Sequence, residues 1–429
     1  MPENRTKPSR RQLILLICIV PVLLCVMSYP LFRNLEWLFD PQVKLHPWLR
    51  GLFITIAFLT IISCGVLTYV SRLSLSNSID YISRAFIAIY LFTLDLFVVT
   101  ILMEIIYGLF KPLRSHKPVI TIIELCLIVG WQIFGNVLGT YRRKRELIIK
   151  SSLVQDSFRI VHLSDIHLGS HGPNRLKKIV PEVNELNADM VCITGDLTDT
   201  KRIIMENQPL EGSERLLPSN GFYPLTELKA PSGVFFVTGN HDVMSGKEEL
   251  YDILRKCPNL TILSNESQIV EIVSKQTKVK IIGIEDGDAK YFVDTAKMLE
   301  GASSKGSSSR TGFQTNGTTD ESSLYTILLH HRPHKKVWRD VMRSLHVDMF
   351  LAGHTHAGQM FTFRPLIWLV HNPDVWLSTL DETNKKQNSS ILSYDKPFMY
   401  VSPGTGTAGS SKRTSFLCEI TVFNVSPSS

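Results

Sequence analysis

The sequence predicts two parts: an N-terminal multi-pass α-helical membrane region, followed by a soluble domain of the α/β class. Apolar residues are concentrated in the first third of the 429 residues, although the overall hydrophobic content of 44% is ordinary. From Phe158 onward, short apolar runs alternate with polar stretches, which is typical of buried strands. We therefore expect a membrane region at residues 1–141, a basic linker at 142–157 and a soluble domain at 158–429.

The membrane region contains four apolar runs, each close to the roughly 20 residues that a helix needs to cross a bilayer. They lie at residues 13–32, 51–70, 85–110 and 119–141. Basic residues precede the first run as they do in a signal peptide, but this run is too long for a cleaved apolar segment. The sequence therefore predicts about four transmembrane helices, the first of which is an anchor.

Two features of the sequence disagree about the side of the membrane on which the soluble domain lies. Basic residues precede the first run and follow the fourth, at 142–145. With four spans both clusters lie on one side, which the positive-inside rule assigns to the cytoplasm. The soluble domain also carries five Asn-X-Ser/Thr sequons, which matter only in a lumen, at Asn259, Asn265, Asn316, Asn388 and Asn424. The cytoplasmic side is favoured, and the luminal side stays open.

Three acidic residues, Asp95, Glu104 and Glu124, lie in the predicted spans. Carboxylates within a bilayer are functional candidates, which leaves a transporter or channel with an attached regulatory domain as one alternative. In the other interpretation, Asp95 forms hydrogen bonds within the helix bundle, while Glu104 and Glu124 reach the membrane interface. The runs contain neither internal repeats nor broken-helix patterns, which favours the second interpretation.

Five apolar runs of the soluble domain are each followed by side chains that bind metals or transfer protons. The runs lie at residues 159–164, 190–194, 234–238, 325–329 and 347–352. The side chains that follow them are Asp165 and His167, Asp196 and Asp199, Asn240 and His241, His330 and His331, and His354 and His356. Since sites in α/β sheets form beyond the carboxyl ends of the strands, we expect these side chains to meet at one place. An ordinary polar loop explains any one motif equally well, but it does not explain five.

The predicted site combines nitrogen and oxygen ligands without a thiolate, which suits divalent Mn, Fe, Zn or Co better than Ca or Mg. The ligands outnumber what one ion needs, and a shared carboxylate would hold two ions about 4 Å apart. Such a pair binds phosphate oxygens and lowers the pKa of a bridging water, which is the chemistry of phosphoester hydrolysis. The seven cysteines show no zinc-binding spacing. The excess of Lys and Arg (46) over Asp and Glu (39) is too small to indicate nucleic-acid binding.

Five motifs of the soluble domain resemble the signature of the calcineurin-like metallophosphoesterases. In order, they are Asp-X-His, Gly-Asp-X-X-Asp, Gly-Asn-His-Asp, His-X-Pro and Gly-His-Thr-His. The resemblance covers residues 158–429 and is strongest to the YkuE-like branch, through Leu-Ser-Asp-Ile-His-Leu-Gly, Gly-His-Thr-His-Ala-Gly-Gln and residues 400–406. It implies a metallophosphoesterase β-sandwich, in which two mixed sheets flanked by helices carry a two-metal site at one edge.

The resemblance also implies a role for each motif residue. One metal would be held by Asp165, His167, Asp196 and His356. Asp196 would bridge to the second metal, which would be held as well by Asn240, His331 and His354. His241 would donate a proton to the leaving oxygen or stabilise charge on it, and Asp199 would orient its ring. His331 rather than His330 fits the His-X-Pro motif, so His330 is expected to be the last residue of its strand.

Two departures from the protein Ser/Thr phosphatases of this superfamily limit the substrate. Thr200-Lys201 stands where those enzymes have Arg-Gly, and Asp242 stands where they have Glu. We therefore expect a small-molecule or lipid phosphoester, either a diester or a monoester, rather than a phosphoprotein. Arg332 either contacts the substrate phosphate or forms a surface salt bridge. The alternative to a hydrolase is a catalytically inactive metal-binding scaffold or a regulatory module of a membrane protein, which the complete ligand set disfavours.

Two further segments show weaker patterns. Residues 302–323 are rich in Ser, Gly and Thr and predict a flexible insertion. After the last motif come Phe361, Phe363, Trp368 and Trp376. They either form a lip that enters the bilayer interface beside the site or belong to a covered loop.

Overall fold

The computed structural model describes residues 99, 102–103, 105–169, 174–208, 221–304, 323–334, 336–361, 364–371, 375–379 and 396–428. The chain divides into two compact units, residues 1–134 and 135–429. The spans predicted at 13–32 and 51–70 lie outside the described residues, together with Asp95 and Glu104. Most of the span at 85–110 and most of the insertion at 302–323 lie outside them as well.

Helix α1 (Lys117–Thr140) corresponds to the fourth predicted span. Its 22 residues Val119–Thr140 are long and apolar enough to cross a bilayer. The core helix of a soluble protein passes the same test, so one such helix among the described residues is weak support for a membrane span. The multi-pass arrangement therefore stays a prediction.

The segment predicted as a basic linker at 142–157 instead begins with a sheet strand, β1 (Arg142–Ser151), which pairs in parallel with the last strand of the chain. Two apolar side chains of this strand, Leu147 and Ile149, are buried on one face of the sheet. Its cations have acidic partners far along the chain, because Arg142 pairs with Glu182 at 2.6 Å and Arg143 with Glu419 at 2.7 Å. The linker prediction was wrong because these partners cannot be recognised from local sequence.

Two six-stranded mixed sheets form the soluble domain. In the first sheet the spatial order is β1-β12-β2-β3-β4-β5, with β2 (Phe158–Leu163), β3 (Met190–Thr194), β4 (Val234–Val237), β5 (Leu260–Ile262) and β12 (Cys418–Pro427). In the second it is β10-β11-β9-β8-β7-β6, with β6 (Glu266–Glu271), β7 (Lys278–Gly283), β8 (Tyr325–Leu329), β9 (Met349–Ala352), β10 (Trp376–Thr379) and β11 (Phe398–Val401). Strands β2 to β5 are mutually parallel, and so are β7, β8, β9 and β11. The mixed α/β class with two sheets is therefore confirmed.

Side-chain alternation along the strands distributes the core over three layers. Met190 and Cys192 of β3 belong to the apolar layer that both sheets share, whereas Val191 and Ile193 face helices on the outside of the first sheet. These helices are α2 (Arg175–Asn184), α3 (Lys201–Glu206) and α4 (Asn240–Leu254). Helices α5 (Ala289–Ser304) and α6 (Trp338–Ser344) cover the second sheet in the same way, and α7 (Arg364–Val370) follows β9. The domain is a sandwich of two sheets flanked by helices.

Candidate metal centre

The five strands predicted to end in ligand-type side chains belong to both sheets. Strands β2, β3 and β4 are neighbours in the first sheet, while β8 and β9 are neighbours in the second. Beyond their carboxyl ends, ligand atoms of the described residues that lie within 4.8 Å of one another form three clusters, two of which share His167. These clusters are Asp165 with His167 and His356, Asp196 with His331 and His354, and His167 with Asp199 and His241. The two sheets thus bring together histidines and aspartates that lie almost two hundred positions apart.

The first cluster is buried and is centred on Asp165. Its Oδ1 lies 3.2 Å from Nε2 of His356 and 3.8 Å from Nε2 of His167. The two ring nitrogens lie only 2.9 Å apart. The hydroxyl of Ser164 donates to Asp165 Oδ2 at 2.6 Å and holds the carboxylate in place. The Nε2 atoms of two imidazole rings and one carboxylate oxygen therefore face a common point.

Asp196 links the first cluster to the second. Its Oδ2 lies 3.8 Å from Nε2 of His167 and 3.2 Å from Nε2 of His331. Its other oxygen, Oδ1, accepts the backbone N–H of His241 at 2.8 Å, which fixes the orientation of the carboxylate. A single carboxylate oxygen consequently faces one ring of each cluster, as a bridging ligand would.

The second cluster has donor atoms that fit a divalent cation. Nδ1 of His331 lies 2.7 Å from the carbonyl of Thr194 and donates to it, which leaves the lone pair on Nε2. Oδ1 of Asn240 is shielded from solvent and accepts no hydrogen bond among the described residues. Leaving such an acceptor unpaired costs about 1–3 kcal/mol, unless a ligand satisfies it. Histidine nitrogens, carboxylates and an amide oxygen suit Mn, Fe, Zn or Co, so the residues present fit the predicted metals.

Asp199 contacts two histidines rather than the one that was predicted. Its Oδ1 lies 2.8 Å from Nδ1 of His241 and also forms a short contact with Nδ1 of His167. The position follows from the backbone, because Asp199 N donates to the carbonyl of Leu168 and places this loop beside the Asp-X-His loop. A carboxylate that accepts Nδ1–H of a metal-binding histidine fixes the ring and keeps Nε2 available for the metal.

The sequence around this centre is similar to that of known proteins. Residues 158–358 match the model of the Calcineurin-like phosphoesterase family. An uncharacterized metallophosphoesterase of Helicobacter pylori strain J99 is 30% identical over 359 residues, which cover 81% of this chain and 85% of that protein. This chain belongs to the calcineurin-like metallophosphoesterase family.

Two other relatives of this metallophosphoesterase match over shorter stretches. The transmembrane protein with metallophosphoesterase domain of Danio rerio is 30% identical over 274 residues, covering 62% of this chain and 52% of that protein. The chain thus spans about half the length of that relative. The uncharacterized metallophosphoesterase YkuE of Bacillus subtilis is 28% identical over 219 residues, covering 50% of this chain and 65% of that protein.

The backbone of this metallophosphoesterase is strained at several of the candidate ligands. Five of them have a left-handed backbone, with φ between 50° and 71°: Asp165, His167, Asp196, His354 and His356. Such a conformation costs roughly 1 kcal/mol or more for a residue with a Cβ and persists only where the surrounding structure enforces it. Here the loops are held by backbone hydrogen bonds, including His167 N to the carbonyl of Asp196 at 3.0 Å. Strain at one place in the fold is typical of a functional site.

Two glycines permit the close packing of these loops. A Cβ on Gly239 would lie 2.2 Å from Asp196 Oδ1, and a Cβ on Gly353 would lie 2.3 Å from Asp165 Oδ2. Both distances are shorter than any van der Waals contact, so a side chain at either position would displace a candidate ligand. The close approach of these backbones to Asp196 and Asp165 therefore requires glycine at both positions.

The electrostatics of the centre favour charged carboxylates. Burial opposes the ionisation of Asp165 and Asp196, yet the rings of His356 and His331 respectively hold the pKa of each carboxyl below its usual range. Burial likewise opposes the charging of His167 and His331, but the carboxylates of Asp199 and Asp196 respectively raise the pKa of each ring to about 10. Binding of cations at this centre would therefore release protons.

Three residues next to the centre, two of which the sequence left with open roles, have defined contacts in the structure. His330 is buried outside the clusters, stacks on Phe292 at a centroid distance of 4.3 Å, and donates from Nδ1 to the carbonyl of Ile284. Arg332 forms a two-point ion pair with Asp286, at 2.7 and 3.0 Å. His371 packs its ring against His354 at 5.2 Å, a contact that the sequence did not predict.

The four aromatic residues of the predicted lip do not share one environment in the structure. Trp376 lies in β10 under the guanidinium of Arg145, 4.4 Å from the ring centroid, and therefore belongs to a packed strand. Phe361 and Trp368 are exposed, and Phe363 lies outside the described residues.

Proposed function

We propose that this chain is a membrane-anchored, two-metal phosphoester hydrolase. Membership of the calcineurin-like family indicates a metal-dependent phosphoesterase. The observation that carries the two-metal assignment is the position of Asp196 Oδ2, which lies 3.8 Å from His167 Nε2 and 3.2 Å from His331 Nε2. One oxygen that faces ligands of both clusters is what a shared carboxylate requires.

The ligands divide into two sets that share Asp196. The first metal, in this proposal, is held by Asp165, His167, Asp196 and His356. The second is held by Asp196, Asn240, His331 and His354. The unpaired Oδ1 of Asn240 supports its inclusion, although amide side chains are weaker ligands than carboxylates. The metals proposed are Mn, Fe, Zn or Co, since the donor set does not discriminate among them.

Two divalent cations at this centre would polarise the phosphate and lower the pKa of the attacking water. The contribution of the protein is to hold the ligands and to move a proton. His241 is the residue proposed for the proton, because its Nδ1 is held by Asp199 while Nε2 faces the centre, 4.0 Å from Asp196 Oδ2. A ring in this position can protonate the leaving oxygen of the substrate.

The two residues that depart from the protein phosphatases have structural roles here. Thr200 caps helix α3, with its hydroxyl accepting from Ile203 N. Asp242 is fully buried and accepts the backbone N–H groups of Gly239 and Thr198, both at 2.9 Å. Neither side chain is placed to recognise a phosphoprotein. We therefore propose a small-molecule or lipid phosphoester, diester or monoester, as the substrate.

Membrane attachment is proposed through the N-terminal region, with about four transmembrane helices in residues 1–141. Helix α1 is compatible with the last of these spans by length and composition. The name of the Danio rerio relative describes a transmembrane protein, which supports the same arrangement. The cytoplasmic side is proposed for the catalytic domain, which then begins at strand β1 rather than after a linker.

A direct test uses the full chain in lipid nanodiscs with Mn²⁺, Co²⁺, Fe²⁺ or Zn²⁺. The substrates are bis-p-nitrophenyl phosphate and p-nitrophenyl phosphate. With at least one metal we expect turnover, and Asn240→Ala is expected to lower kcat/KM by about a hundredfold through loss of a ligand. The matched control is Asn184→Ala, because the Asn184 side chain binds, within the described part of the chain, the backbone of Glu227 and Lys229 alone. Its activity should stay within about twofold of wild type.

The results separate the hydrolase from the alternative scaffold. Stoichiometric metal without hydrolysis of either substrate would favour a catalytically inactive metal-binding module. Equal activity of Asn240→Ala and wild type would remove Asn240 from the ligand set. The absence of turnover with all four metals would end the hydrolase assignment.

A further inference from the structure

Large apolar side chains are exposed on two elements that border the metal centre. The start of α4 exposes Val243 and Met244, which follow His241 and the buried Asp242. Helix α7 exposes Trp368, Leu369 and Val370 at its last turn. We call these five side chains the apolar rim. Exposed apolar surface next to a buried polar site is typical of ligand-binding grooves.

Both parts of the rim are fixed to the centre by direct contacts. On the α4 side, Val243 N donates to the carbonyl of Gly239 at 3.1 Å, in the turn that also carries Asn240 and His241. On the α7 side, His371 follows Val370 and packs against the ring of His354. Contacts on both sides mean that the rim keeps its position relative to the metal ligands.

The first residue of α7 is fixed as well. The guanidinium of Arg364 donates from Nη1 to the carbonyl of Ala357, the residue after His356, at 3.2 Å. It also lies 4.3 Å from the ring centroid of Phe416. Both ends of α7 are therefore held next to the Gly-His-Thr-His loop, while its apolar side chains face outward.

The position of the apolar rim next to the metal centre indicates which part of a substrate would contact it. A phosphoester whose phosphate binds at buried ligands, such as Asp165 and His331, has to extend its organic substituents outward past the residues that surround the centre. The rim residues on α4 follow His241, and those on α7 precede His371, whose ring packs against His354. We infer that the substrate is an amphiphilic phosphoester whose alkyl substituent lies on this rim. The inference rests on the proposed function.

The size of the effect follows from apolar burial. Each methylene group transferred from water to an apolar surface changes the rate by up to about fourfold, which corresponds to about 0.8 kcal/mol. A substrate with a longer alkyl chain should therefore react faster until the chain extends beyond the rim. Partial burial on an open surface reduces the gain to about twofold per methylene.

The test measures kcat/KM of the full chain in nanodiscs with Mn²⁺ on a series of p-nitrophenyl alkyl phosphates, from methyl to octyl. The p-nitrophenolate leaving group is constant, so the ratio of octyl to methyl rates reports the alkyl group alone. We expect a ratio of about a hundred in the wild type, and a drop of at least tenfold in Val243→Ser/Leu369→Ser. The control is Val273→Ser, because Val273 is 48% exposed, close to the 45% of Val243, and should leave the ratio unchanged.

The outcomes distinguish this inference from the proposed function. Hydrolysis of the methyl ester with a flat series would overturn the amphiphilic substrate and keep the hydrolase. A rise with chain length that the double variant leaves intact would also overturn it, since partition into the bilayer would then explain the gain. Failure to hydrolyse any member of the series would overturn both.

Discussion

Strands β3 and β9 lie in different sheets, yet each begins directly after an aspartate and ends at a glycine that precedes a candidate ligand. At their amino ends the two aspartates make the same contacts with the neighbouring strand. Asp189 Oδ2 accepts Arg159 N at 2.7 Å, and Asp348 Oδ2 accepts Thr326 N at 2.8 Å. Each aspartate also donates its own N–H, at 2.9 Å, to the carbonyl of the same partner residue. These carboxylates pin parallel strands together.

The carboxyl ends of the same strands are different. Asp196 and His354 both have a left-handed backbone, and each side chain faces other candidate ligands, although Asp196 Oδ1 also accepts the backbone N–H of His241. The amino-end aspartates have neither a left-handed backbone nor candidate ligands as neighbours in a cluster. Residue type therefore does not distinguish a structural acid from a ligand in this fold. Backbone strain and the position of the side chain among other candidate ligands do, and the following changes test that distinction.

The largest effect is expected at the carboxyl end of β3. Asp196→Asn keeps an oxygen that accepts the backbone N–H of His241. The atom that faces both clusters becomes an uncharged amide NH₂ group, which cannot bridge two cations. We expect kcat/KM to fall about a thousandfold, which is about 4 kcal/mol, while the protein stays folded. The measurement is hydrolysis of bis-p-nitrophenyl phosphate alongside circular dichroism of the same sample.

Asp189→Asn is the matched control, because it makes the same chemical change at the amino end of the same strand. Its kcat/KM should stay within about twofold of wild type. If both variants lost activity to the same extent, the proposed difference between the two strand ends would disappear.

Metal removal should lower the stability of the protein, and this effect should depend on the residues at the carboxyl ends of β3 and β9 and not on those at the amino ends. Cations at a thousandfold excess over their dissociation constant stabilise the folded state by about 4 kcal/mol, and a chelator removes this contribution. The wild type and Asp348→Asn should both show the drop in the denaturation midpoint, whereas Asp196→Asn should lose most of it. A chelator effect of wild-type size in Asp196→Asn would exclude this carboxylate as a shared ligand.

The strands and the ligand motifs at their ends could largely be predicted from the sequence, because both are set by neighbouring residues in the chain. The runs at 190–194 and 325–329 coincide with β3 and β8, since continuous apolar segments that end at glycine or histidine motifs mark buried strands. The division of the five strands between two sheets came from the family resemblance. Periodicity alone does not report which strands pair, because pairing is a contact between distant residues.

The features that sequence reasoning missed depend on tertiary contacts. Strand β1 was hidden because its consecutive cations resemble a membrane-flanking cluster, and their partners Glu182 and Glu419 are remote in sequence. The contact of Asp199 with His167 was missed for a similar reason. The Gly-Asp-X-X-Asp motif identified Asp199 as an acid, but its second histidine is set by the pairing of two loops.

A smaller effect, with a clear pH dependence, is expected at the amino end of β9. Burial raises the pKa of Asp348 to about 6, even though Thr326 N–H stabilises the charged form. Because the unfolded state ionises near pH 4, the penalty is absent below that pH, grows between about pH 4 and 6, and is complete above pH 6. Asp348→Asn should therefore raise the free energy of unfolding by up to about 3 kcal/mol at pH 7 and by little at pH 4.

Urea denaturation of the metal-free chain at several pH values checks this expectation. Asp189→Asn serves as the reference, because Asp189 has a cationic partner. A gain for Asp348→Asn that is equal at pH 4 and pH 7 would show that the carboxylate is not destabilised by burial.

The smallest effect is expected at the amino end of β3, where Lys275 pairs with Asp189 Oδ2 at 2.8 Å and both side chains are partly exposed. Asp189→Asn retains an oxygen for Arg159 N–H but loses this ion pair, so the free energy of unfolding should fall by about 0.5–1 kcal/mol. At 1 M salt the Debye length is only about 3 Å, and the loss should shrink accordingly. Asp348→Asn changes a half-buried carboxylate that has no lysine partner among the described residues, so it should respond to pH and hardly to salt. Opposite responses of two aspartates with the same backbone contacts would show that the cationic partner, and not the strand position, determines their electrostatic contribution to stability. If salt did not change the free energy of unfolding that Asp189→Asn loses, this explanation would be contradicted.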